Sequence, residues 1–298
     1  MKIVKKLKSI YLPLVTCVTC TVSVSLSATT IDVLWYGSTP SYNALPTELA
    51  LNAGDYDPNG DGSLDWNVTL WEDGSSDPMF GDYDVFIIPS WLSGMDPDRL
   101  LDAKDEITDA RGSRTFLSGQ DADLHYLGSP GARDNGPRGF FINAVNWASS
   151  GSGMGIVALA DGWAGSGSSW FTDTESFLYD ELLGNTSYFQ EETVQILSGQ
   201  EDFAVNEGLT TAGLSNWGTS SHMGFSVDTE GYEVINGAGG NDLFAVTIVT
   251  EGFADGGTGG GDDDDDNDDD DSITEVPAPT SITLMSLALL VLAYRKRH

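Results

Sequence analysis

Apolar residues along this chain recur in short β-branched and aromatic runs, separated by stretches with helical spacing. Residues 30–36 read as a first strand ending at Gly37. A helical pattern over 41–51 places Pro46 in its first turn, and 66–71 alternate as a strand. The best-marked stretch is 83–125. Residues 83–89 form an apolar run suited to a strand buried on both faces. Asp96-Pro97 supplies an N-cap and a first-turn proline for a helix over 98–111, which Gly112 stops. Residues 114–117 read as the next buried strand, and 118–125 leave its carboxyl end as a sharp polar turn.

The alternation continues with a helix over 137–147, a strand over 155–160 and a helix over 172–183 ended by Gly184. Strands at 193–197 and 243–249 complete the set, while 199–240 shows few periodic signals and reads as loop-rich. Strands alternating with helices predict an α/β fold: a mostly parallel sheet with helices on both faces, plus a loop-rich C-terminal part. Ligands in such sheets sit beyond the carboxyl ends of the strands, so 118–125 is the expected location of a site.

The two ends follow different patterns. Lys2, Lys5, Lys6 and Lys8 precede an apolar segment, 10–26, that closes on Ser25-Leu26-Ser27-Ala28. This predicts a secretory signal peptide over 1–28. Both cysteines, Cys17 and Cys20, fall inside it, so the expected mature chain has no disulfide, thiol nucleophile or thiolate ligand. The body spans 29–255. A Gly/Asp-rich stretch over 256–275, with nine Asp in the ten positions 262–271, cannot bury a core and reads as a disordered linker. Residues 276–298 contain Val276-Pro277-Ala278-Pro279, an apolar run over 282–294 and Arg295-Lys296-Arg297-His298. That order of parts resembles the PEP-CTERM sorting tail of Gram-negative bacteria, with Ala278 where the usual motif has Glu. The resemblance implies an exosortase-type processing enzyme as a partner. It also implies a membrane contact through the tail only, then a final place at the cell surface or in the extracellular matrix.

Setting the ends aside leaves six basic residues against 36 acids, a body near −30. Such a surface repels nucleic acid and anionic membrane, which excludes both as partners. The six are Arg99, Lys104, Arg111, Arg114, Arg133 and Arg138, all within 99–138. Arg111 is expected in the last turn of its helix, facing the dipole. Arg133 and Arg138 are candidates to border a pocket with Gln120 and Asp121 for an anionic group, against internal pairing with the abundant acids.

The element order over 30–249 resembles the flavodoxin-like sheet of class I glutamine amidotransferase-like domains. In that family a nucleophilic cysteine follows a central strand, which here would fall at Gly119-Gln120-Asp121. No cysteine stands there and no Gly-x-Ser-x-Gly elbow replaces it, so thiol amidotransferase chemistry is excluded.

Three motifs carry candidate chemistry. Asp121, Asp123 and His125 alternate, and on an extended segment they would face one side. With His222, the other histidine of the body, they could hold a divalent metal and activate water as a hydrolase does. Asp57-Pro58-Asn59-Gly60-Asp61-Gly62-Ser63-Leu64-Asp65 resembles the front half of an EF-hand or dockerin-type loop. It makes Asp55, Asp57, Asn59, Asp61 and Asp65 candidate calcium ligands, with Val68 where the loop wants a bidentate acid; an Asx-turn loop without metal is the competing account. Trp91, Trp163, Trp170 and Trp217 could stack on sugar rings or lie in the core. The sequence thus favours an exported, non-catalytic module that binds extracellular polysaccharide or serves structurally. The alternative is a metal-dependent hydrolase acting on polysaccharide or envelope material.

Overall fold

The computed structural model describes residues 30–37, 46–58, 60, 62–92, 95–128, 135–161, 168–183, 186–226, 228–238 and 244–252. The signal-peptide, linker and sorting-tail expectations lie outside these residues, as do Asn59, Asp61, Arg133 and Trp163. Among the described residues no helix is long and apolar enough to cross a membrane.

The expected α/β architecture is present. Strands β1 (Thr30–Tyr36), β2 (Asp65–Trp71), β3 (Val85–Ile88), β4 (Arg111–Ser118) and β5 (Met154–Leu159) run parallel in the order β2-β1-β3-β5-β4. The flavodoxin-like order is 2-1-3-4-5, so the last two positions are exchanged here. Every residue of β3 and β5 is buried, as parallel strands covered on both faces require.

Helices α1 (Pro46–Asp55), α4 (Ala122–Gly128) and α5 (Pro137–Ser149) supply one apolar layer, in which Ala53, Tyr126, Phe140 and Phe141 pack with Val33, Val85 and Val157. The other layer comes from α2 (Asp98–Asp102), α3 (Lys104–Ala110), a 3₁₀ turn at Ser168–Thr172 and α6 (Tyr179–Leu182). There Leu100, Ile107, Trp170, Phe171 and Leu182 pack with Leu34, Phe86 and Ile156.

An antiparallel half completes the sheet. Strands β6 (Thr186–Glu191), β7 (Val194–Ile196), β8 (Ser221–Phe225), β9 (Glu233–Ala238) and β10 (Phe244–Thr250) join it through β10, which lies antiparallel to β4, β8 and β9. The stretch expected to be loop-rich therefore holds β8 and β9. Their glycines and polar residues hide the period, and pairing with β10 supplies the backbone partners.

Two helix expectations are corrected. The helix over 98–111 breaks at Ala103, and Arg111 opens β4 instead of closing a helix, because its backbone pairs with Met154 of β5. Its guanidinium makes a two-pronged contact with Glu181 and reaches Tyr232 Oη at 3.3 Å. The helix over 172–183 shortens to α6.

Candidate metal centre

Strands β4 and β5 are neighbours, yet the chain leaves them toward opposite faces. After β4 it enters α4 and α5 in one apolar layer; after β5 it reaches the 3₁₀ turn and α6 in the other. Divergence of this kind opens a crevice beyond the strand ends, the usual place for a ligand in an open α/β sheet. Asp121 stands on one side of it, three residues past β4. Asp161 stands on the other, two residues past β5. Asp121 is fully buried and Asp161 is 4% exposed.

The carbonyl of Asp121 accepts hydrogen bonds from the amides of Leu124 and His125 (3.0 and 3.1 Å), which starts α4. One turn on, the side chains of Asp121 and His125 share a face. His125 Nε2 lies 3.2 Å from Asp121 Oδ1. The third member arrives from the antiparallel half. Strand β8 crosses the exit of β4, where the His222 amide donates to the Gly119 carbonyl at 2.9 Å. His222 Nε2 then stands 3.5 Å from Asp121 Oδ2, and its Nδ1 stands 3.8 Å from Asp161 Oδ1. One ligand atom from each of Asp121, His125 and His222 falls within 4.8 Å of the others. The two imidazoles lie nearly parallel, at 18° and 6.4 Å, and Trp217 walls His125 from the side at 5.8 Å.

Gly119 makes this approach possible. A Cβ there would stand 1.8 Å from the Met223 carbonyl oxygen, so any side chain would push β8 off the β4 exit. Gln120 braces the same corner, its amide donating to the Leu214 carbonyl at 3.1 Å.

The electrostatics are unusual for a plain ion pair. Both Asp121 oxygens are enclosed by protein and neither receives a hydrogen bond. A buried anion in that state is costly unless a cation compensates it. The imidazoles can supply a proton or share a metal ion. Burial pushes the His125 imidazole down, but the Asp121 carboxylate 3.2 Å from its Nε2, the charge of Asp123 and the Thr219 backbone outweigh it. The net shift is upward from 6.5. The His125 and His222 side chains are 17% and 15% exposed, so solvent ions can reach the cluster.

Asp123 does not join them. Alternate spacing would place it with Asp121 and His125 on an extended segment, but the segment is helical, and with 3.6 residues per turn position 123 turns away. Its Oδ1 accepts from Ser90 Oγ at 2.6 Å and its Oδ2 from the Ser90 amide at 3.1 Å. Burial raises its pKa from 3.8 to about 7, aided by the charge of Asp121 and opposed by the Ser90 hydrogen bonds. The unfolded chain ionises this group first, so its contribution to stability falls as pH rises between about 4 and 7. Asp123→Asn, which mimics the neutral acid, should remove that slope and stabilise the metal-free protein at pH 8 by on the order of 4 kcal/mol. Denaturation at pH 4 and pH 8 measures this; an equal effect at both pH values refutes it.

Among the described residues, none of the other candidates supplies a ligand atom to the cluster. Gln120 is fully buried, and Arg138 Nη1 reaches Asn52 Oδ1 at 3.5 Å. Asp57 Oδ1 accepts from the amides of Gly60 and Gly62 at 2.8 and 3.2 Å, an Asx-type turn, while Asp55 and Asp65 are exposed on α1 and β2. Trp170 is core, and Trp217 is a buried wall of the cluster. Asp161 was missed in the sequence. The available signal was its position: it follows the 155–160 strand as Asp121 follows 114–117.

Comparison with known protein families, curated sequences and solved structures finds no match.

Proposed function

We propose that this chain is a divalent-metal hydrolase in which Asp121, His125 and His222 are the metal ligands. The observation that carries the reading is the fully buried Asp121 carboxylate, without a hydrogen bond, facing two solvent-accessible imidazoles through their Nε2 atoms. Two imidazoles and one carboxylate suit zinc with an open coordination position, and also Fe(II) or Mn(II). An ion so held supplies a bound water whose pKa falls to about 7, and a Lewis acid toward an acyl or phosphoryl oxygen. The chain's own groups do the rest. Asp121 neutralises part of the ionic charge, the i, i+4 spacing holds His125, and the backbone bond to Gly119 holds His222. Trp217 keeps one side of His125 away from water. The leader and tail of the sequence support action outside the cytoplasm, on polysaccharide or envelope material carrying hydrolysable groups.

The test is metal uptake by the purified body, residues 29–255. One zinc per chain is expected, with water-dependent cleavage of ester- or amide-substituted polysaccharide that 1,10-phenanthroline abolishes and zinc restores. A body that takes up no divalent ion would falsify the proposal. Metal affinity should also fall with pH. Metal and proton compete for the imidazoles, and the His125 pKa is raised, so the decline begins above pH 6.5. Below that point it should steepen to about tenfold per pH unit for each histidine displaced. Titration at pH 8, 7 and 6 reads the slope, and a flat profile points to carboxylate-only ligation.

A further inference from the structure

The crevice contains a second buried carboxylate that ligation by the three side chains leaves unused. Asp161 is 4% exposed at the end of a strand buried along its whole length. Its Oδ1 faces His222 Nδ1 at 3.8 Å, whereas Nε2 of the same ring faces Asp121. The two ring nitrogens therefore point at two different carboxylates on opposite walls of the crevice. They are chemically inequivalent in a neutral imidazole: one carries the proton and the other offers the lone pair.

We propose that Asp161 is a positioning residue for His222, accepting a hydrogen bond from Nδ1–H so that Nε2 presents its lone pair to the metal. This role rests on the metal reading above. A carboxylate behind a ligating imidazole fixes the tautomer, restrains the ring and raises the basicity of the ligating nitrogen. The topology provides the means. Asp121 and Asp161 leave adjacent parallel strands, whose pairing of Ser118 with Leu159 fixes the width of the crevice. His222 is inserted between them by β8, which is tied to Gly119. In this role the 3.8 Å between Nδ1 and Asp161 Oδ1 must shorten to a hydrogen bond as Nε2 engages an ion. His125 has a comparable arrangement, with Nε2 toward Asp121 and a hydrogen bond to the Thr219 backbone. Each imidazole thus has an anchor besides Asp121: a carboxylate for one, a main-chain carbonyl for the other.

The experiment uses cobalt(II) and zinc as probes on residues 29–255. Asp161→Asn should weaken zinc binding about 10–100-fold in a competition assay. Its cobalt absorption spectrum should keep the wild-type band positions, because the ligand set is unchanged. Asp161→Glu should recover part of the affinity. The wild-type zinc form supplies a reading that needs no variant: nitrogen-15 shifts should show His222 protonated at Nδ1 and metal-bound at Nε2. Wild-type affinity in Asp161→Asn, or metal on His222 Nδ1, overturns the role of Asp161 while leaving the metal centre standing. A changed cobalt spectrum in Asp161→Asn makes Asp161 a ligand and overturns the role equally. A wild-type protein that binds neither ion overturns the metal reading itself, and this role with it.

Discussion

Asp121→Asn should yield a folded protein that has lost its divalent ion. The asparagine keeps the shape of the side chain but removes the charge that faces both imidazoles, so zinc affinity should drop more than 100-fold. Zinc at 100 times its dissociation constant stabilises a native protein by about 2.7 kcal/mol, and that increment should vanish in the variant. The metal-free comparison separates this account from a structural one. Asp121 is buried with neither oxygen hydrogen-bonded, so neutralising it removes a desolvation cost and loses only its attraction to the two facing imidazoles. The metal-free variant should therefore melt at or above the wild-type temperature. A metal-free variant that melts well below wild type, with no zinc effect in either protein, would make Asp121 an ion-pair partner of His125 and nothing more. Thermal melts with and without zinc decide between them.

Gly119→Ala should damage both the fold and the centre through one added methyl group. The new Cβ would stand 1.8 Å from the Met223 oxygen and 2.5 Å from its carbonyl carbon, and backbone atoms cannot rotate aside as a side-chain tip can. Overpacking of this kind costs about 1–3 kcal/mol, and more where main chain must move. Strand β8 would shift away from the β4 exit, lengthening the His222 amide bond to Gly119 and withdrawing the imidazole from Asp121. Zinc affinity should fall together with stability. Gly81→Ala is the control, since a Cβ there meets no atom within 4 Å, and it should change neither quantity. Wild-type zinc affinity in Gly119→Ala would show that the crossing does not position His222.

The sheet was legible wherever burial on two faces produces an uninterrupted apolar run. Strands β3 and β5 are of that kind and β1 breaks its run only at Asp32; their expected and observed ends differ by no more than two residues. Strands β8 and β9 were hidden because Ser221, His222, Gly224, Asn236 and Gly237 break the period, and their partner β10 lies late in the chain. The site shows the same division. Asp121 and His125 can be paired from their local positions, but the alternating period also brings in Asp123, which the helical period of α4 turns toward Ser90. His222 was a candidate only as the remaining histidine of the body. Its position depends on a strand crossing that no local pattern encodes. Asp161 could be set against residue 121 only by knowing that the chain leaves the neighbouring strands β4 and β5 toward opposite layers, which no local pattern encodes.

The position of β10 in the sheet has a consequence for the order in which the protein can assemble. The final strand of the body lies in the interior of the sheet, between β4 and the antiparallel strands. A chain emerging from its amino terminus has all five parallel strands by residue 159, but the outer edge of β4 stays open until residues 244–250 arrive. At ~5–20 residues per second, that leaves the edge uncovered for roughly 4–17 seconds of synthesis. The antiparallel half, which carries His222, cannot be clamped to β4 through β10 any sooner. On the proposed reading, an ion held jointly by Asp121, His125 and His222 would be acquired only at the end of assembly.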